Sequence, residues 1–219
     1  IDKSQISEVI YQGVRKPASG LLPPGIPGFK SGQGLTDSRD LAGAKADYKK
    51  WLALGNKTPS PIRLSYNDGA GWDKVASIIV ANLKDVGIPA KLDPFAADGT
   101  YFSKMRSGKG QIIRGGWFAD YPIADNFLYP LLHSKTIDGD NLERYSSKAF
   151  DSLVDSARSS TNKSFAQSQY RRAEVQALKT DVVMVPTVNR GVAVVLASST
   201  STFPITPLGM IVYDQIVKN

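Results

Sequence analysis

The sequence predicts an α/β fold, with helices flanking a largely parallel or mixed sheet. Three observations carry this. Strand-like and helix-like segments alternate between residues 61 and 117. Helical patterns follow between residues 126 and 177. From Val182 the chain is rich in Val, Thr and Pro and reads as strands. Alternation of this kind argues for sheet and helix layers. In such sheets ligands meet the chain at the carboxyl ends of strands.

Each element has a local reason. Ile1, Ile6, Val9 and Ile10 fall near one helical face, and Gly13 stops that helix. Residues 17–35 follow as a loop stiffened by Pro23, Pro24 and Pro27, of the kind that is usually functional or interdomain. Asp37 or Ser38 is the expected cap of a helix running to Leu54, which Gly55 ends. PIRLSYN at 61–67 alternates as a strand. Asp68 is then expected to cap a helix whose Trp72, Val75, Ile79, Leu83 and Val86 share one face, ended by Gly87. PAKLDPF reads as a second strand, Tyr101, Phe102 and Met105 as a short helix, and QIIRGGW at 111–117 as a third strand. Further helices are expected around Asn126–Leu132, after a cap at Ser146 or Ser147, and after one at Thr161 or Asn162.

Composition narrows the function. A chain of 219 residues is long enough to bury a sizeable core. No apolar run approaches the ~20 residues of a membrane helix. The first residues lack a basic start followed by an apolar stretch, as expected of a mature, truncated or cytoplasmic chain. With no cysteine, thiolate catalysis and Cys-based zinc sites are excluded. His133 is the sole histidine, so a His-rich metal site is excluded, and its place near a helix end reads as structural. The net charge of +7 is scattered, without the clustered basic and aromatic face of a nucleic-acid binder.

Motifs for catalysis are missing. There is no G-x-S-x-G, no P-loop and no H-E-x-x-H. Asp120 and Asp125 could form a carboxylate pair for acid–base chemistry, but no nucleophile or metal motif accompanies them. A basic surface-interaction domain is the other alternative. The stretch that stands out is RGGWFADYP at 114–122, which sets Arg114, Trp117 and Asp120 three residues apart at the end of a strand.

LLPPGIPGF at 21–29, LKDVGI at 83–88, RGGWFADYP at 114–122, NFL at 126–128, YSSKAFDSLVDSA at 145–157, QYRRAEVQALKTD at 169–181 and Val-Pro at 185–186 come in a fixed order. That order resembles the C-terminal part of the extracytoplasmic solute-binding proteins, family 5, which include the dipeptide- and oligopeptide-binding components of ABC importers. The resemblance spans nearly the whole chain, and W-x-A-D-Y-P is its most specific motif. Ile123-Ala124 stand where the family commonly has Asp-Pro, and Ser147-Lys148 where it has Asn-Pro.

The resemblance implies one lobe of a two-lobed periplasmic-binding-protein (Venus-flytrap, type II-like) fold. Residues 1–201 would form the ligand-binding lobe, and residues 202–219 would return to an N-terminal lobe absent from this sequence. It further implies an extracytoplasmic place, in the periplasm or at the cell surface as a lipoprotein, a membrane permease as partner, no cofactor and no reaction. The ligand would be a peptide, or within the same fold an oligosaccharide, opine, nickel complex, haem or other small solute. In peptide-binding members the Asp of W-x-A-D-Y-P holds the ligand's α-amino group, a role that falls on Asp120. Trp117 would supply a flat wall. Arg114 would meet a ligand carboxylate or hold Asp120 in place. Tyr121 would pack with its hydroxyl near the cleft, and Asn141 and Tyr145 lie where the family's chain passes the cleft.

Overall fold

The computed structural model describes residues 1–32, 36, 38–58, 60–96, 98–191, 193–206 and 209–218. Helix α1 begins at Lys3–Gln5, capped by Asp2, and continues as a π-helical turn over Ile6–Ile10. Ile6 is fully buried, but Val9 is 65% exposed, against the face expected of it. In a π-helix each residue turns less about the axis than in an α-helix, so Val9 no longer lies beneath Ile6. Helix α2, Leu41–Ala53, is capped by Asp40, whose carboxylate accepts from the Gly43 N–H. The cap therefore falls later than Ser38, and the other candidate, Asp37, lies outside the described residues.

Three parallel strands follow in the order β2–β1–β3: β1 is Ile62–Asn67, β2 is Ala90–Phe95 and β3 is Ile112–Ile113. Pro94 is tolerated because β2 is an edge strand, where a missing N–H costs no ladder bond. Between β1 and β2 runs α3, Trp72–Val86, which packs Ala76 and Val80 with Leu64, Tyr66 and Ala90. Asp68 does not cap it. That carboxylate accepts from the Gly69 N–H, and Gly69 and Gly71, both at positive φ, turn the chain before the helix begins. Helix α4, Thr100–Arg106, buries Tyr101 and Met105.

A second core is helical. It joins α5 (Asp125–Leu132), α6 (Lys148–Arg158, capped by Ser147) and α7 (Lys163–Val175, capped by Asn162). Phe127, Leu128, Leu132, Phe150, Val154 and Ala173 fill it. The proline-rich loop is half inside: Pro24 and Gly25 are exposed, while Leu22 and Ile26 belong to this core. Glu174, 2% exposed, fixes the loop by accepting the Leu21 and Leu22 N–H groups at 2.7 and 2.9 Å. Burial raises the pKa of this carboxyl, and the two backbone bonds offset part of the rise.

The tail is less regular than its composition predicts. Strands form at β4, Thr200–Thr202, and β5, Val217–Lys218, which pair antiparallel in a separate sheet. Upstream, Val188 makes only an isolated bridge to Pro17. The two bonds of that bridge run from the Ala18 N–H to the Thr187 carbonyl and from the Asn189 N–H to the Lys16 carbonyl, and a strand needs such partners along its length.

Candidate functional site

The site begins where β1 and β3 end. Beyond β3 the Arg114 N–H still bonds the Ser65 carbonyl, so the residue leaves the sheet at a fixed height. The Tyr101 hydroxyl, 2.6 Å from the Arg114 carbonyl and 3.1 Å from that of Ser65, ties the two strand ends to α4. Burial raises this phenol to about 12, so it stays neutral as a donor. The Arg114 guanidinium lies 3.7 Å from the Trp72 ring centroid and donates to Asn67 Oδ1 at 3.2 Å. Burial lowers its pKa. It forms no ion pair with Asp120, since none of the described ion pairs includes either residue. An added Cβ at Gly116 would stand 3.1 Å from Arg114 Nη2, so the small residue leaves room for the guanidinium beside the loop.

The rest of the loop is organised by Asn126, 3% exposed at the start of α5. Its Oδ1 accepts from Trp117 Nε1 at 3.1 Å and from the Asp120 N–H at 2.8 Å. Its Nδ2 donates to Asp120 Oδ2 at 3.3 Å. One buried amide thus sets both the ring and the carboxylate. Asp120 remains exposed, and Phe118 and Tyr121 beside it are 63% and 42% exposed. Trp117 is half-buried against the helical core, and the Arg190 guanidinium lies 4.2 Å from the Phe118 ring centroid.

Asp125 has a different task. Its carboxylate accepts from the Tyr121 and Tyr170 hydroxyls at 2.9 and 3.2 Å and meets Arg158 Nε at 3.3 Å. It is committed to structure, which leaves no free partner for an acid–base pair with Asp120. Asn141 and Tyr145 fall in another cluster. Asn141, 0% exposed, donates to the His133 and Tyr145 carbonyls and accepts from the Tyr145 N–H. The Tyr145 hydroxyl bonds Asp181, and its ring meets Phe150 edge to face. His133 is buried, accepts from the Lys135 N–H and places Nε2 3.3 Å from Asp155.

Asn67 and Asn126 are the site neighbours that sequence reasoning missed; Trp72, read as core, does pack against the sheet core and also carries Arg114. Asn126 had one available signal, its place in the NFL segment directly after the loop. Two cavities lie elsewhere: about 390 Å³ between α2 and α3, lined by Tyr48, Trp51 and Leu83, and about 360 Å³ beside α6 and α7, lined by Leu153, Arg171 and Arg172. The 114–121 surface is an open wall, not a closed pocket.

An α/β layer with such a wall at its strand ends is part of a periplasmic-binding-protein fold. The family model of the bacterial extracellular solute-binding proteins, family 5 (middle region), matches residues 1–139, and the chain belongs to this family. The heme-binding protein A of Haemophilus influenzae is 29% identical over 189 residues, covering 80% of this chain and 32% of that protein. The dipeptide-binding protein of Escherichia coli is 27% identical over 180 residues, covering 80% of this chain and 33% of that protein. The solved structure of the periplasmic binding protein DppA from Helicobacter pylori, in complex with the peptide STSA, is 26% identical with a TM-score of 0.75, covering 86% of this chain and 36% of that one. The chain thus spans about a third of the length of these relatives.

Proposed function

We propose that this chain is the ligand-binding lobe of the substrate-binding component of an ABC importer, and that it captures di- and oligopeptides outside the cytoplasm. The observation that carries the reading is Asp120: an exposed carboxylate with no cation among the described residues, held by a buried amide at the end of a parallel sheet. A binder of many sequences must grip the backbone and termini rather than particular side chains. A carboxylate suits the ammonium end, a guanidinium the carboxylate end, and Trp117 with Phe118 gives a flat apolar wall between them. The relatives named for dipeptides support this reading.

The mechanism is capture without chemistry. A second lobe, to which residues 202–219 return, closes over the ligand, and the closed form docks on a membrane permease. Closure requires the ligand to bind the closed state better than the open one.

The test is calorimetric titration of the protein carrying both lobes with trialanine, free or N-acetylated. The expected result is binding of the free peptide only, weakened about 10- to 150-fold by Asp120→Asn, the equivalent of losing a charge-assisted bond of about 1.5–3 kcal/mol. Equal binding of the acetylated peptide would overturn the ammonium assignment. The relative named for haem, together with the exposed rings of Phe118 and Tyr121, favours a second reading, a large apolar solute. Such a ligand would bind with Asp120→Asn unchanged.

A further inference from the structure

One corner of the wall carries more positive charge than a peptide terminus requires. Arg15, on the segment after α1, holds its guanidinium carbon 4.1 Å from the Tyr11 ring centroid and 5.6 Å from that of Trp72. Arg114 lies over the same Trp72 ring. Tyr11 and Trp72 meet edge to face at 6.5 Å. Two guanidiniums are therefore held against one aromatic pair.

Neither has a counter-ion among the described residues. None of the described ion pairs includes Arg15 or Arg114, and the nearby acids Asp68 and Asp73 pair with neither. The Arg15 side chain makes no hydrogen bond among the described residues; only the rings hold it. All four residues of the cluster are partly exposed. Two further polar atoms here, Tyr11 Oη and Arg114 Nε, are buried without a hydrogen-bond partner. Buried polar groups are ordinarily satisfied, and exceptions call for an explanation. The N-terminal turn of α3, which opens at Trp72, adds the positive end of a helix dipole.

The rings attract each guanidinium, but the two like charges repel one another, and an anion between them would remove that repulsion. One α-carboxylate matches one guanidinium fork. The second fork calls for a second carboxylate. Resting on the peptide reading, we propose that Arg15 and Arg114 form a two-guanidinium subsite for a ligand end bearing two carboxylates, that is, a peptide ending in Asp or Glu. Arg15 is its specificity-determining residue.

The experiment compares Ala-Ala-Glu, Ala-Ala-Gln and Ala-Ala-Ala by calorimetry on the protein with both lobes. Ala-Ala-Glu is expected to bind about tenfold more tightly than Ala-Ala-Gln, because only the former fills both forks. Arg15→Gln is expected to bring that ratio close to one while leaving Ala-Ala-Ala nearly unaffected. Arg15→Lys should retain part of the ratio, since it keeps the charge but loses the planar fork. Equal wild-type affinities for the Glu and Gln peptides, or a ratio that survives Arg15→Gln, would overturn this proposal alone. Silence from all three peptides would overturn the peptide reading, and this proposal with it.

Discussion

Asn126 and Asn141 are both buried, and each uses both its amide oxygen and its amide nitrogen. They build different things. Asn141 bonds backbone on every side: two carbonyls and one N–H, all within residues 133–145. It closes a loop on itself. Asn126 bonds two side chains, Trp117 and Asp120, and only one backbone group. It holds a wall whose working groups stay exposed. The difference teaches that a buried amide serves function when its partners face outward, and serves the fold when they do not.

The largest effect expected from this contrast is at Asn141. Asn141→Ala leaves the Tyr145 carbonyl and N–H without their partner, while the His133 carbonyl keeps the Thr136 N–H and hydroxyl, and should destabilise the protein by roughly 3 kcal/mol. In a chain of this size that corresponds to a Tm lower by about 6–12 °C. Ligand affinity per folded molecule should not change. Thermal melts beside calorimetry check both parts. A mild melt with lost affinity would move Asn141 into the binding site and break the comparison.

Asn126→Ala comes next. Trp117 Nε1 can turn to water, because the ring is only half-buried, so the stability cost should be smaller, about 2 kcal/mol. The affinity cost should be larger, about tenfold for free-amino peptides, because Asp120 is no longer positioned. An unchanged affinity would reduce Asn126 to the same role as Asn141.

How far the sequence carried the reading follows from what sets each feature. Local signals were legible. Periodicity placed α3 on its apolar face, and Ser147 and Asn162 stand where caps were expected. Trp117 and Asp120 were singled out through the motif that holds them; the Asp120 carboxylate is exposed and the Trp117 ring half-buried against the helical core. Long-range partners were not legible. Arg114 was open to pairing with Asp120, but it leaves the sheet toward Trp72, a residue 42 positions away that sequence reading assigned to the core. Asn141 was singled out for its position along the chain, whereas its burial is decided by three-dimensional packing. Asn126 was passed over because an asparagine opening a helix is common, and only the fold shows that it reaches back across the loop.

Neither amide titrates, so the pH dependence of stability is expected to come from elsewhere; burial raises the carboxyls of Glu143 and Glu174, and Glu174 is the one that holds backbone N–H groups. Its folded pKa is raised above the ordinary carboxyl value of 4.5, because burial opposes ionisation. Below that ordinary value the group is protonated in both states and contributes no cost. As pH rises from there toward the folded pKa, the unfolded chain ionises first, and stability falls. Glu174→Gln keeps an oxygen for the Leu21 and Leu22 N–H groups without the charge. Its Tm relative to the wild type should therefore rise with pH across that window and then level. Melts at a series of pH values check this, and a constant difference would assign the pH dependence to another group.

The smallest expected effect on stability is the most telling one. Asp120→Asn keeps an oxygen for the Asn126 Nδ2 bond and leaves the backbone N–H that Asn126 also holds. The side chain is exposed and has no cation to lose. Its removal as a charge should change stability by no more than about 0.5 kcal/mol, the usual range for a surface substitution. A carboxylate kept for the fold would not be so dispensable. If Asp120→Asn melts with the wild type and still loses free-amino peptides, the charge serves the ligand alone, and Asn126 is its scaffold. If it melts early, Asp120 belongs with Asn141 among the groups that hold the loop, and the ammonium must be met elsewhere on the wall.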